Sequence, residues 1–190
     1  RPVLAVMNPE LTMTLPAYQT ACGVTDMFIH LTERYFTNTP DVSLTDEMIE
    51  GLMRTILKYG IVCVKEPDNY NARAQIMWAG MLAHNNICGV DREQDWASHH
   101  IQHRIGAKYD SAHGAGLATI YPAWMKFVYK HDVPRFVRFA TKVMGVDNDV
   151  FHPEEVALEG IRRIKAYFAS LGMPTSLSEL GVKDEDIKEL

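Results

Sequence analysis

Residues 16–36 read PAYQTACGVTDMFIHLTERYF, and this stretch decides the fold. Proline has no N–H to give and a φ already set for a helix, so Pro16 suits a first helical position. A helix is predicted from Ala17 to about Phe36, with Cys22, Met27, Phe28 and Leu31 available for burial and Asn38-Thr39-Pro40 as its stop. The same helix carries Asp26 and His30 one turn apart on one face. A carboxylate and an imidazole at that spacing can converge on a single ion.

Working outward, the same kind of punctuation recurs. Ser43 with Asp46 is a capping-box variant for a helix reaching Tyr59, with Gly60 just past its end. Glu66-Pro67-Asp68-Asn69 is a loop, after which Asn71 caps a helix over 72–84 whose core candidates are Ile76, Trp78, Met81 and Leu82. Asp95 caps a helix from Trp96 to about Tyr109, and another begins near His113 and runs toward Pro122 and Trp124. Pro134 opens a helix that stops near Gly145, and Pro153-Glu154-Glu155 opens one that continues to Leu171 and closes at Gly172-Met173-Pro174. Ser176 and Asp184 cap short terminal turns. With no repeat or long linker, the expectation is an all-α, irregular multi-helical array forming one domain over 1–190. Upstream, Arg1–Met7 is a short apolar β-like segment. A lone strand needs neighbours, so this run reads as belonging with a partner domain that precedes it.

Composition narrows the function. A chain of 190 residues, 47% hydrophobic, can bury a sizeable core. A net charge of -5 with mixed signs argues against nucleic-acid or anionic-membrane partners, which call for a basic stripe. Cys22, Cys63 and Cys88 are odd in number and far apart, so they read as buried thiols of a reducing cytoplasm, not a disulfide framework. No apolar run approaches the about 20 residues of a membrane span. Small-molecule chemistry in a soluble protein is the expectation.

His99, His100, His103 and His113 crowd one short region, with His99 and His103 on a shared helix face and His113 beyond a turn at Asp110-Ser111. One carboxylate and several imidazoles form a borderline donor set, which suits Fe²⁺ or Zn²⁺ better than oxygen-demanding Mg²⁺ or Ca²⁺. An isolated pair of this kind is usually a solvated helix face; the density of pairs is what points to a metal. Spacing alone leaves the remaining ligands open, since His99 with His103 would serve as well as His99 with His113. His100 points away from His99 by about 100° and is set aside. His84, His131 and His152 sit near predicted helix ends, where a cation is favoured without any function. Trp78 and Trp96 read as packing residues.

Two segments resemble a known family. Asn8-Pro9-Glu10-Leu11-Thr12-Met13-Thr14-Leu15-Pro16, followed by Gly23-Val24-Thr25-Asp26 and His30, is similar to the start of the helical domain of iron-containing alcohol dehydrogenases. Asp95-Trp96-Ala97-Ser98-His99, His103, Ala112-His113-Gly114 and Pro122-Ala123-Trp124 resemble the second metal-binding stretch of its butanol dehydrogenase branch. The resemblance implies a C-terminal helical domain behind an upstream Rossmann-like nucleotide-binding domain. It implies metal ligands at Asp26, His30, His99 and His113, with iron as the metal and zinc as the alternative. It further implies NAD(H) or NADP(H) as cofactor, Thr12 and Leu15 beside the dinucleotide, and His103 by the nicotinamide as a proton relay. The implied reaction is hydride transfer between nicotinamide and an aldehyde or primary alcohol, in a homodimer, with the isolated fragment inactive. Arg104 departs from the branch, which often carries an acidic residue there.

Two rivals remain. One is a non-catalytic helical metal-binding or interaction module; the other is a related metal-dependent polyol dehydrogenase, against which the Asp95–His99 segment speaks.

Overall fold

Helix α1 (Ala17–Tyr35) is buried over most of its length, with Ala21, Val24, Phe28, Leu31 and Tyr35 wholly excluded from solvent. A helix buried nearly all round must be central. Around it lie α2 (Ser43–Lys65), α3 (Tyr70–His84) and α5 (His113–Val128), with α4 (Ala97–Tyr109) packed on α5. A further pair, α6 (Val133–Lys142) and α7 (Pro153–Ser170), packs together and closes over α5. Short 3₁₀ turns at Pro9–Thr12, Ile87–Gly89, Tyr129–His131 and Asp184–Asp186 connect or end these helices. This computed structural model describes residues 3–187 and contains no strand among them. Arg1 and Pro2, where the β-like reading begins, lie outside the described residues.

Aromatic packing joins the two halves of the array. The Phe28 ring meets Phe139 of α6 edge-on at 6.4 Å and Phe168 of α7 at 6.2 Å. Phe36, just past α1, stacks on Phe136 at 4.3 Å. Each such side chain contributes roughly 1.5–3 kcal/mol through burial, so this cluster dominates the local energetics.

Several boundaries differ from the sequence reading, each for a physical reason. Pro16 is the residue before α1, with ψ 147, and Ala17 begins the helix. The Ser43/Asp46 capping box does not form: Val42 occupies the cap position, and Asp46 instead binds Arg92 and Arg135 from distant segments. Gly60 does not end α2, which continues to Lys65. A Cβ there would come within 2.5 Å of Val24 and Tyr167, so Gly60 is a point of close helix approach instead of a stop. Asn69, not Asn71, caps α3 by accepting from the Ala72 N–H. Trp78 is 57% exposed, and α3 buries Ala72, Ile76, Ala79 and Ala83. Helix α5 runs through Pro122 to Val128, further than its proline suggested. In the β-like segment, Val3, Leu4 and Val6 are exposed and form no strand among the described residues.

Candidate metal centre

Four helices, α1, α3, α4 and α5, bring ionisable groups to a single place. Asp26 and His30 come from α1 itself, one turn apart, with imidazole Nε2 3.6 Å from carboxylate Oδ1. His99 is in the first turn of α4, and its Nε2 lies 3.4 Å from the same Oδ1. His113 is the first residue of α5, and its Nε2 lies 3.3 Å from Oδ1. His84, the last residue of α3, approaches the other carboxylate oxygen, Oδ2, at 3.3 Å.

The local sequence explains how these groups are positioned. Gly114 lets the start of α5 press against the backbone of α1, since a Cβ there would sit 2.3 Å from the Cys22 carbonyl oxygen. That contact brings His113 up to Asp26. Helix α4 is docked through Glu33, which is wholly buried: its carbonyl accepts from the Asp95 N–H at 3.2 Å, and its carboxylate accepts from the Ser98 hydroxyl at 2.9 Å. The His30 and His99 rings pack against Trp96 at 5.1 and 5.2 Å, and the Arg34 guanidinium lies over that indole at 4.8 Å.

The electrostatics are those of a site that collects positive charge. Burial alone would raise the Asp26 carboxyl, but the imidazoles of His113, His84, His99 and His30 outweigh it and hold the group well below the usual carboxylate range. Burial and its cationic neighbours push His30 down to about 3 despite Asp26. Burial works against a charged His99 too, yet the carboxylates of Asp26 and Glu33 push it up to about 9. A buried and a half-buried carboxylate facing one imidazole draw positive charge to it, a proton or, when one binds, a divalent cation.

Hydrogen bonding supports the fit of a cation to these residues. Asp26 Oδ1 and His99 Nε2 are both buried, and neither has a hydrogen-bond partner among the described residues. Orphaned buried polar atoms are costly, and a group of them aimed at one another is reconciled by a cation. Ligand atoms of Asp26, His99 and His113 lie within 4.8 Å of one another, as do those of Asp26, His30 and His84. The two triads share Asp26, and the His30 and His84 ring centroids are 4.2 Å apart, so His84, set aside in the sequence reading, stands beside the cluster.

Of the other residues singled out from sequence, His103 is exposed, with its ring 5.4 Å from that of His113 and 6.2 Å from that of His99. Thr12 lies in the turn before α1, its hydroxyl donating to the Pro9 carbonyl, and Leu15 is 43% exposed; the structure brings neither into the imidazole cluster. His100 lies apart and lines, with Phe36, Trp96, Trp124 and Arg135, a cavity of about 860 Å³ that none of the four candidate ligands borders. Sequence reasoning missed Glu33 and His84. Glu33 had a signal, for it falls on the same face of α1 as Asp26 and His30; His84 had none beyond its helix-terminal place.

The model of the Fe-containing alcohol dehydrogenase family, C-terminal part, matches residues 20–190. The chain belongs to this family. NADH-dependent butanol dehydrogenase B of Clostridium acetobutylicum is 37% identical over 188 residues, which are 98% of this chain and 48% of that protein. The NADPH-dependent aldehyde reductase YqhD of Escherichia coli is 35% identical over 193 residues, 100% of this chain and 49% of that one. Its solved structure, in a substrate- and cofactor-free form, superposes with a TM-score of 0.95 at 33% identity, covering 100% of this chain and 49% of that one. NADH-dependent butanol dehydrogenase A of Thermotoga maritima gives 0.90 at 40% identity, covering 95% of this chain and 45% of that one. This Fe-containing alcohol dehydrogenase chain thus spans about half the length of the relatives it matches. Its helical array is the fold of their C-terminal part.

Proposed function

We propose that this chain is the metal-binding part of an NAD(P)H-dependent aldehyde reductase and alcohol dehydrogenase, similar to the butanol dehydrogenases. The proposed reaction moves a hydride between nicotinamide and the carbonyl carbon of an aldehyde, giving a primary alcohol. The observation that carries the reading is the convergence of three imidazole Nε2 atoms on Asp26 Oδ1 at 3.3, 3.4 and 3.6 Å. The proposed ligands are Asp26, His30, His99 and His113, and the proposed metal is iron, with zinc as the alternative. When bound, the cation supplies Lewis-acid polarisation of the substrate oxygen, an effect worth several kcal/mol.

The chain's own residues divide the remaining work. Asp26 gathers the imidazoles around one oxygen and supplies negative charge. Trp96, half-buried against His30 and His99, excludes water from one side of the cluster. His103 is exposed beside His113 and holds a proton for the alcohol oxygen. An upstream nucleotide-binding domain, meeting the Thr12–Leu15 segment, supplies most of the dinucleotide site, and the enzyme is a homodimer. The buried free thiols Cys22, Cys63 and Cys88 favour a reducing cytoplasm as its location.

Replacing His99 by Ala should remove most bound metal and abolish aldehyde reduction by the enzyme that contains this chain, with helical content retained. Elemental analysis beside circular dichroism tests this. Undiminished metal in His99→Ala would refute the ligand set.

A further inference from the structure

Glu33 touches the centre without reaching Asp26. It is wholly excluded from solvent, and its carboxylate serves three donors. Oε2 accepts from His99 Nδ1 at 2.5 Å, while Oε1 accepts from the Ser98 hydroxyl at 2.9 Å and the His99 backbone N–H at 3.4 Å. A buried carboxylate is costly unless such donors satisfy it. Asp95 Oδ1 accepts from the Ala97 N–H at 2.7 Å at the start of α4, and Glu33 reaches across from α1 to accept from the His99 N–H of the same first turn.

We infer that Glu33 is the positioning residue of the metal centre: by accepting the hydrogen bond of His99 Nδ1–H it fixes which ring nitrogen faces the cation. An imidazole offers one lone pair when neutral, and the nitrogen that donates cannot also coordinate. With Nδ1–H committed to Glu33, the lone pair is on Nε2, which points at Asp26 Oδ1 from 3.4 Å. The ring is held at both ends, by the carboxylate and by Trp96 at 5.2 Å. A second consequence is charge. Asp26 and Glu33 together place two negative charges at the centre, matching a dication, and a negative partner on Nδ1 makes Nε2 a stronger donor. The arrangement therefore selects a divalent ion over a monovalent one and keeps it bound.

This inference rests on the metal-centre reading, and its test separates the two. Zn²⁺ affinity is measured for the parent chain, Glu33→Gln and Ser98→Ala by competition with a chromophoric chelator. Glutamine keeps the volume and one acceptor but loses the charge; it should weaken Zn²⁺ binding by about 10- to 100-fold. Ser98→Ala removes a hydrogen bond to the same carboxylate without touching the His99 ring, and should change affinity by less than about threefold on the same scale. Should Glu33→Gln fail to fold, nitrogen-detected NMR of the Zn²⁺-loaded parent decides: His99 should coordinate through Nε2 and keep a slowly exchanging proton on Nδ1. Coordination through Nδ1, unchanged affinity in Glu33→Gln, or an equal loss in Ser98→Ala would each overturn the positioning role while leaving the metal centre standing. A parent that binds no Zn²⁺ would overturn both.

Discussion

Two aspartates of this chain, Asp46 buried and Asp26 half-buried, are each ringed by nitrogen-bearing side chains, and the difference between the rings separates a structural site from a chemical one. Asp46 is 3% exposed and faces guanidinium groups: Arg92 Nη2 at 3.0 Å, Arg135 Nη1 at 2.5 Å and Nη2 at 2.8 Å. Guanidinium is always charged and only donates, so every contact is a finished bond. It ties α2 to the segment before α4 and to α6. Asp26 faces imidazoles, whose ring nitrogens can exchange a proton for a metal ion, and among the described residues its Oδ1 is left without a hydrogen bond although three nitrogens stand within 3.6 Å. One carboxylate is complete as the chain folds; the other is complete only when a positive charge joins it.

The contrast is easiest to break through stability. Asp46→Asn leaves the buried Arg92 and the half-buried Arg135 without this counter-charge and should cost about 3–5 kcal/mol in urea unfolding of metal-free protein. Asp26→Asn should cost less than half as much under the same conditions; equal losses would erase the distinction. Zinc should then reverse the order of importance. At a free concentration of 100 times Kd it should stabilise the parent by about 2.7 kcal/mol and Asp26→Asn not at all, read from the shift in the unfolding midpoint. A shift in the Asp26→Asn protein equal to the parent's would place the ion elsewhere. The smallest effect concerns His84, which is paired with Asp26 Oδ2 at 3.3 Å and is the more exposed partner. His84→Gln should weaken Zn²⁺ binding by less than about tenfold, or 1.4 kcal/mol, in isothermal titration calorimetry. A hundredfold loss would make His84 a ligand in place of His30.

How far the sequence revealed these features depended on the range over which each is determined. Helix existence follows from local pattern, and α1, α4 and α7 lie within a residue or two of where Pro16, Asp95 and Pro153 put their starts. The misread boundaries share a cause. Ser43-x-x-Asp46 satisfies a local rule, but guanidinium groups from far along the chain outcompete a backbone N–H for the carboxylate. Gly60 looks like a stop because its reason, the nearness of Val24 and Tyr167, is tertiary. The site divides in the same way. Asp26 and His30 are legible from one helical turn, whereas the choice of His113 over His103 came only with the family resemblance. His84 is brought in by the packing of α3 on α1, and no pattern within α3 announces it.

The contact at Gly114 carries a consequence for how such a centre can change. Where α5 meets α1 the helices touch backbone to backbone, with the Cys22 carbonyl filling the space a side chain would take. Their separation is therefore not adjustable by exchanging side chains, and a longer carboxylate at position 26 would have no room gained by helix movement. Residues of α4, in contrast, reach α1 through the carboxylate of Glu33 and the rings around Trp96. Retuning for a larger or smaller ion is open along that side of the pocket and closed along the other, so one wall serves as the ruler and its opposite as the sliding jaw.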